Sequence, residues 1–236
     1  ASADGFWEKE AKKWGNDGAS KWYGQAVDYW KTQPATVDGV LGGFGHVSAS
    51  DCAASRAFLD PFAAVWRGTG TCPRPGTVGL ECGAGVGRVS QGVLLHLVDR
   101  VDLMEPCSHM LEQAIAAMPK DRLRDSYLQG LQQFAYPENP TYDIICIQWC
   151  ALYLTDVDFV EVLRRCQRAL QPQGVIFMKE NLGRNVFLVD REDTSVARTN
   201  AHHLTLFSKA GLKVLAQARQ PEWPASMLPV KMYALR

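Results

Sequence analysis

The stretch Glu81-Cys82-Gly83-Ala84-Gly85-Val86-Gly87-Arg88 decides the fold. It puts three glycines directly after the apolar, strand-like run Thr77-Val78-Gly79-Leu80 and directly ahead of a helical pattern over 86–97. Without Cβ atoms at Gly83, Gly85 and Gly87, backbone can approach a ligand closely and the next helix can start tight against a sheet. The spacing is G-x-G-x-G with an acid just ahead of the first glycine. It differs from the pyrophosphate pattern G-x-G-x-x-G, whose third glycine falls one position later. On its own such a turn serves a nucleotide cradle or a purely structural corner. The next strand, Val101-Asp102-Leu103-Met104, sharpens the reading. It ends on Glu105, about twenty residues past the glycines, where folds of this kind hold ribose hydroxyls with a carboxylate.

Composition bounds the class. The 236 residues are 47% hydrophobic and 21% charged, enough for one large core, and 25 basic against 25 acidic residues leave no net charge. Nothing in that balance favours nucleic acid or anionic lipid as a partner. Cys52, Cys72, Cys82, Cys107, Cys146, Cys150 and Cys166 are scattered, with no C-x-x-C pair, and several fall in apolar runs. They read as reduced, buried thiols of a cytoplasmic or nuclear protein. Cys146 and Cys150 have no His or Cys partner at ligand spacing, so no metal is expected. No apolar run reaches the roughly 18 residues of a membrane span, and no leader-like segment opens the sequence, so a soluble chain is expected.

The chain divides unequally. Residues 1–65 read as helical and aromatic, with Trp7, Trp14, Trp22, Tyr23, Tyr29 and Trp30, and a Gly/Pro/Thr linker, Gly68 to Gly76, follows. Beyond it the pattern predicts strand 77–82, helix 86–97, strand 100–105, helix 107–118, strands 124–129 and 142–148, helix 155–170, strand 173–179, helix 195–210, and strands 212–219 and 228–235. Alternating strands and helices mean an α/β fold with a parallel sheet covered on both faces. Only Gln220 to Pro224 join the last two strands, too few for a crossover helix, so these form an antiparallel pair. One domain is expected, with residues 1–65 as a helical substrate-channel or lid segment and 75–236 as the cofactor-binding core.

In an open α/β sheet, ligands lie beyond the carboxyl ends of the strands. The residues there are Glu105, Gly130 to Phe134, Gln148 with Trp149, and Lys179 to Asn181. Gly130, Leu131 and Gln132 suit an adenine, whose two faces pack and whose few polar edges need amide partners; the same residues also suit an ordinary turn. Gln148 and Trp149 follow the apolar run Ile144 to Ile147 and stand either at a cleft mouth or in packing.

These segments carry a resemblance. Glu81 to Arg88 resembles motif I of S-adenosylmethionine-dependent methyltransferases, and the C-terminal hairpin resembles the seven-stranded, Rossmann-like class I methyltransferase sheet. The strings YWKTQPATVDGVLGGFGHVS (Tyr29 to Ser48), GLQQF (Gly130 to Phe134), IQWCALYLTD (Ile147 to Asp156), LRRCQRALQPQG (Leu163 to Gly174), KEN (Lys179 to Asn181) and DREDTSVAR (Asp190 to Arg198) closely resemble the α-N-terminal protein methyltransferases. The likeness runs from about Tyr29 to Arg236. It implies methylation of the free α-amine of proteins that begin X-Pro-Lys or X-Pro-Arg, by a monomer that uses S-adenosyl-L-methionine and releases S-adenosyl-L-homocysteine. It implies cofactor contacts at Gly83, Gly85, Arg88, Glu105, Pro106, Leu131, Gln132 and Gln148. Arg88 suits the methionyl carboxylate, which a guanidinium grips through two hydrogen bonds. Many relatives have Asp where this chain has Glu105, which keeps the carboxylate and adds one methylene.

Methyl transfer to an amine needs the nitrogen lone pair. An α-amine has a pKa of about 7.7 to 8.0, so a base must take its proton. The resemblance assigns that task to Asp193, with Asp190 and Ser195 as polar groups of the same channel. Asn181 would bind the first substrate carbonyl, and Trp30 would face the amine by cation–π attraction, with Trp149 as a further wall. Leu41 and Val47, flanking Gly42, Gly43 and Gly45, would form the slot for the substrate proline. Read without the resemblance, 190–198 also fits a charged surface loop with a helix cap at Thr194 or Ser195, and Trp30 fits an anchor for the appendage. Tyr153 is the clearest departure, because well-known members carry a histidine there. A phenol of pKa about 10 accepts a proton poorly near neutrality, which puts the weight on Asp193. A small-molecule N- or O-methyltransferase and a catalytically silent reader of protein N-termini are the rival classes.

Overall fold

The computed structural model describes residues 3–15, 18–67, 73–137 and 139–236; residues 68–72 of the expected linker, Cys72 among them, lie outside the described residues. Four helices precede the first strand: α1 (Ala3–Trp14), α2 (Ser20–Lys31), the single-turn α3 (Val37–Val40) and α4 (Ser48–Arg67). Then come β1 (Val78–Cys82), α5 (Arg88–Gly92), β2 (Arg100–Met104), α6 (Ser108–Ala117), β3 (Leu123–Tyr127), β4 (Tyr142–Gln148), α7 (Asp156–Ala169), β5 (Leu170–Asn181), the short β6 (Leu188–Asp190) and β7 (Ser195–Ala197), α8 (Asn200–Ala210), β8 (Val214–Arg219) and β9 (Val230–Leu235).

Seven strands form one sheet in the order β3-β2-β1-β4-β5-β9-β8. β1 to β5 pair in parallel, and β9 enters antiparallel between β5 and β8, so the expected terminal hairpin forms with its second strand inside the sheet. β1 and β4 are continuously buried, as strands covered on both faces must be. One face packs Phe159, Leu163 and Phe207 of α7 and α8, and the other packs Leu59, Trp66, Val89 and Leu111 of α4, α5 and α6. Leu80, Leu103, Ile145 and Phe177 are wholly buried, each contributing roughly 1.5–3 kcal/mol by leaving water. Cys52, Cys82, Cys107, Cys146, Cys150 and Cys166 are buried, unpaired thiols. Among the described residues no helix is long and apolar enough to cross a membrane, and no group of three metal-binding side chains converges.

Two predicted helices are shorter than their patterns. The helix expected over 86–97 stops at Gly92, and a separate 3-10 turn, Leu94–His96, follows. Gly92 is pressed against α4, where a Cβ would lie 2.6 Å from Cys52 Sγ, and Val93 leaves the helical region at φ −133°. The helix expected over 195–210 begins at Asn200, capped by Thr199, whose hydroxyl accepts the His202 N–H at 3.2 Å. The cap therefore lies neither at Thr194 nor at Ser195. Thr194 turns the chain at φ +63°, and Ser195–Ala197 pairs antiparallel with Leu188–Asp190 as a small hairpin.

That hairpin is tied to the start of α7 and the turn before it by Arg198, which is almost fully buried. Its guanidinium donates to Asp156 Oδ1 at 2.8 Å and to the carbonyls of Ala151 and Leu154, and it lies over the Phe159 ring at 4.9 Å. Removing one partner of a buried ion pair leaves the other charge uncompensated. Arg198→Leu is expected to cost about 3–5 kcal/mol of unfolding free energy, measured by urea denaturation; a loss below about 1 kcal/mol would mean that Asp156 is adequately solvated without it.

Candidate active site

Strand order reverses between β1 and β4, which is where α/β sheets of this type open a crevice. The glycine turn after β1 and the Gln148–Cys150 turn after β4 both emerge there and line one cleft. Gly83 has φ +66°, and a Cβ on it would sit 2.6 Å from Cys150 Cβ, so both backbone angle and space demand glycine. A Cβ on Gly85 would lie 3.2 Å from Val40 Cγ1, which brings the end of α3 onto the glycine turn.

After β2, Glu105 points back at this turn. Its Oε2 accepts the Gly85 N–H at 2.9 Å and its Oε1 the Cys107 N–H at 3.0 Å, while burial raises its pKa. A carboxylate offers about four acceptor sites, so capacity remains for hydroxyl donors. Pro106 lines the cleft beside it, and Gly130, Leu131 and Gln132 line it after β3. After β4, Gln148 donates from Nε2 to Asp51 Oδ2 at 2.8 Å, and its Oε1 is buried without a hydrogen-bond partner. Arg88, at the start of α5, donates from Nη1 to the same Asp51 Oδ2 at 2.7 Å, and its guanidinium lies 5.4 Å from the centre of the Trp149 ring. Trp149 itself is held at φ +51°.

The appended helices form the other wall. Tyr23, Ala26, Val27 and Trp30 of α2 and Val40 and Leu41 line the cleft with Tyr153, which sits in a 3-10 turn, Ala151–Tyr153. The TVDGVLGG segment is built as a rigid corner: the Thr36 hydroxyl accepts the Gly39 N–H at 3.0 Å, and Asp38 Oδ1 accepts the Gly45 N–H at 2.9 Å. Gly42 (φ +58°) turns away exposed, and Val47 is buried under the loop outside the cleft lining, so Val40 stands beside Leu41 where Val47 was expected. Trp30 and Tyr153 meet edge to face at 6.3 Å. Tyr153 Oη donates to Asp193 Oδ2 at 3.2 Å, and Asp193 Oδ1 accepts the Ser195 N–H at 3.0 Å. Burial and the neighbouring Asp190 raise the Asp193 pKa. Burial and Asp193 push the Tyr153 phenol well above its ordinary value. Asp190 is exposed at the end of β6, and Asn181 is half-buried at the end of β5; neither they nor Asp193 and Ser195 line the cleft, which Asp193 meets through Tyr153.

A ligand with an α-amino-acid end and a nucleoside end fits this donor set. At one end Arg88 offers a cation and the orphaned Gln148 Oε1 an acceptor. The glycine turn, Glu105 and Leu131 provide the close backbone approach, the hydroxyl acceptor and the apolar wall. Sheet and cleft together define a class I S-adenosylmethionine-dependent methyltransferase. Residues 18–236 match the family model described as AdoMet dependent proline di-methyltransferase, and the chain belongs to that family. The alpha N-terminal protein methyltransferase 1 of Dictyostelium discoideum is 41% identical over 98% of this chain and 85% of its own length. The N-terminal Xaa-Pro-Lys N-methyltransferase 1 of Bos taurus is 40% identical over 92% of this chain and 96% of its own. A solved SAM-dependent methyltransferase from Leishmania major superposes with TM-score 0.88 at 43% identity, covering 100% of this chain and 91% of that one.

Gly83→Ala is expected to lower stability by about 1–3 kcal/mol, from a left-handed alanine pressed on Cys150, and to weaken binding of S-adenosylhomocysteine. Urea denaturation and calorimetric titration measure the two effects; unchanged titration would show that the turn yields without disturbing the cleft.

Proposed function

We propose that this protein transfers a methyl group from S-adenosylmethionine to the free α-amino group of proteins whose N-termini read X-Pro-Lys or X-Pro-Arg. The observation that carries the reading is Asp193, a half-buried carboxylate fixed by the Ser195 N–H and by Tyr153, itself a wall of the cofactor cleft, with Asp190 beside it. A relative named for action on N-terminal Xaa-Pro-Lys sequences, 40% identical over nearly its whole length, supports the same substrate. In this reading residues 1–65 supply the peptide side and 75–236 the cofactor side of one working unit.

When bound, the cofactor supplies a sulfonium-borne methyl group, the new N–C bond forming as the C–S bond breaks with its electron pair left on sulfur. The protein's part is to present an amine lone pair in line with it. Asp193 takes the proton of the substrate ammonium, and its raised pKa makes it a better acceptor than an ordinary aspartate. Tyr153 keeps its own proton and donates it to Asp193, so it orients the base and is not itself a base. Trp30 presents its ring to the ammonium before transfer and to the charged product after it. Leu41 with Val40 holds the proline, Asn181 the first carbonyl, and Asp190 the cation of residue three, by charge pairing. An acidic approach of this kind has no evident use in a methyltransferase for small neutral molecules.

An X-Pro-Lys peptide is expected to gain methyl groups by mass spectrometry, and its Nα-acetylated form none. Methyl groups on the acetylated peptide would overturn the reading. Asp193→Asn is expected to lower kcat by about 10²–10⁴-fold while leaving homocysteine-product affinity nearly unchanged. For Tyr153→Phe the sign follows from the lost hydrogen bond: it favours ionised Asp193, so its removal raises the Asp193 pKa further. A base works above its pKa, and the acid limb of the kcat–pH profile should therefore move to higher pH, with a smaller loss at the plateau than in Asp193→Asn. An unmoved limb would remove Tyr153 from control of the base.

A further inference from the structure

Asp51 lies on the first turn of α4, outside the cleft, yet it is the one acceptor shared by two of the cleft's polar residues. Its Oδ2 receives Arg88 Nη1 at 2.7 Å and Gln148 Nε2 at 2.8 Å. Its Oδ1 pairs with Lys179 Nζ at 2.5 Å, and Lys179 also donates to the Asp51 carbonyl at 3.0 Å and to Ser55 Oγ at 2.9 Å. Two ammonium protons thus go to hydrogen bonds, and the Asp51 carboxylate is held by the lysine's charge, its Oδ1 taking no hydrogen bond of its own. Asp51 and Lys179 are both fully buried, and β4 and β5 place Gln148 and Lys179 side by side in register. Burial opposes ionisation of Asp51, but Lys179 and Arg88 outweigh it and hold the carboxyl below its usual range.

A carboxylate accepts and does not donate. Bonded to Asp51, the Gln148 amide must turn its NH₂ inward, and the oxygen left over is the buried, unpartnered Oε1 of a residue that lines the cleft. Arg88, held at Nη1, has its other donors beside the same space. Two buried cations against one carboxylate leave this corner one positive charge in excess, while Glu81 is engaged by Ser90 beneath the glycine turn and raised to about 7 by burial. Such a corner suits an α-amino acid: a carboxylate for the cation and an ammonium for the orphaned oxygen.

We propose that Asp51, anchored by Lys179, is the positioning residue for the amino-acid end of the cofactor, setting the amide of Gln148 and the guanidinium of Arg88 before the cofactor arrives. The proposal rests on the reading that Arg88 and Gln148 face the methionyl end. It explains why a charged lysine lies buried without touching the cleft: its charge holds the carboxylate that fixes the two contacts, and its hydrogen bonds to the Asp51 carbonyl and Ser55 hold the turn that carries it. It also makes Asp51→Asn a specific lesion. Lys179 still requires an acceptor, so the asparagine turns its oxygen to Lys179 and its NH₂ to Arg88 and Gln148. Arg88 loses its acceptor, and Gln148 must flip, presenting donors to the ammonium.

The test is titration of the full chain with S-adenosylhomocysteine and with 5′-methylthioadenosine, which keeps the nucleoside and lacks the amino acid. In Asp51→Asn, and in Lys179→Met as a second variant, affinity for the first should fall about 10- to 100-fold, the scale of lost hydrogen bonds to charged groups, while affinity for the second stays near the wild-type value. In a Gln148→Ala background the Asp51→Asn effect should shrink by the part that runs through Gln148, leaving the part through Arg88, because residues acting through one another are not additive. Equal losses for both ligands would reduce Asp51 to general scaffolding and overturn the proposal, as would full additivity or no loss at all. If the wild-type chain bound neither ligand, the cofactor reading itself would fail, an outcome distinct from the others. Should Asp51→Asn not fold, Lys179→Met and the milder Ser55→Ala carry the same two-ligand comparison.

Discussion

Gly83 and Cys150 touch so closely that no side chain fits on the glycine, and the rest of the site is arranged around that contact. It locks the turn after β1 to the turn after β4. The latter leads directly into the 3-10 turn that presents Tyr153, and that turn is held from three sides. Glu180 accepts the N–H groups of Cys150 and Ala151 at 3.1 and 2.9 Å, Arg198 takes the Ala151 carbonyl, and Trp22 of the appended helices donates from Nε1 to the Tyr153 carbonyl at 2.7 Å. The backbone that cradles a cofactor and the phenol that orients Asp193 therefore belong to one rigid unit. Methyl transfer between two bound molecules depends on their reacting atoms being held about 3–3.5 Å apart, and this unit is what can hold them.

Charge is distributed unevenly over that frame. The corner of Arg88, Lys179 and Asp51 carries excess positive charge in a buried setting, while the hairpin edge collects Asp190, Glu192 and Asp193. Between them, burial pushes Glu81 up to about 7 and Glu180 up to about 8, so neither adds a full negative charge near neutrality. On the proposed function, the positive corner takes the amino-acid carboxylate of the cofactor and the acidic hairpin edge the substrate amine. The corner is buried and Asp193 half-buried, so attraction to these groups is screened less than on an open surface, whereas Asp190 and Glu192 stand in water.

Much of this was legible in the sequence because the relevant signals are local. Glycines after an apolar run, an acid about twenty residues on, and polar residues at strand ends follow from backbone rules; Gly83, Gly85, Glu105, Gln132 and Gln148 do line the cleft, whereas Gly87, Lys179 and Asn181 do not. What escaped is set by tertiary context. Asp51 stands in SASDCAASR as an ordinary first-turn helix acid, and Lys179 in KEN as an ordinary strand-end cation; only the packing of α4 across β4 and β5 buries them together. Ser195–Ala197 read as the start of a helix because Thr194 and Ser195 are good caps, yet Thr199 is one too, and the pairing of Val196 with Val189 decided between them. Val40 and Val47 flank the same glycines, and the turn pinned by Thr36 and Asp38 aims the first into the cleft and the second beneath it.

The same context gives the aromatic N-terminal helices a physical role beyond covering the sheet. Phe6 and Trp7 pack on Phe187 at 5.2 and 6.1 Å, and Trp22 and Val196 complete a small separate core under the β6–β7 hairpin. Within 188–197 the one basic residue is Arg191, and Glu10 of α1 takes it through two hydrogen bonds at 2.7 and 3.0 Å, which hold the Glu10 carboxyl down at about 2. Arg191 is largely exposed, so the pair adds little stability in water. Its larger effect is on the field: with Arg191 bound to α1, its charge is neutralised away from Asp190 and Asp193, and the hairpin keeps its acidic character toward the cleft. On the proposed function, a substrate cation meets hairpin carboxylates that Arg191 does not occupy, and α1 tunes that field without touching the substrate.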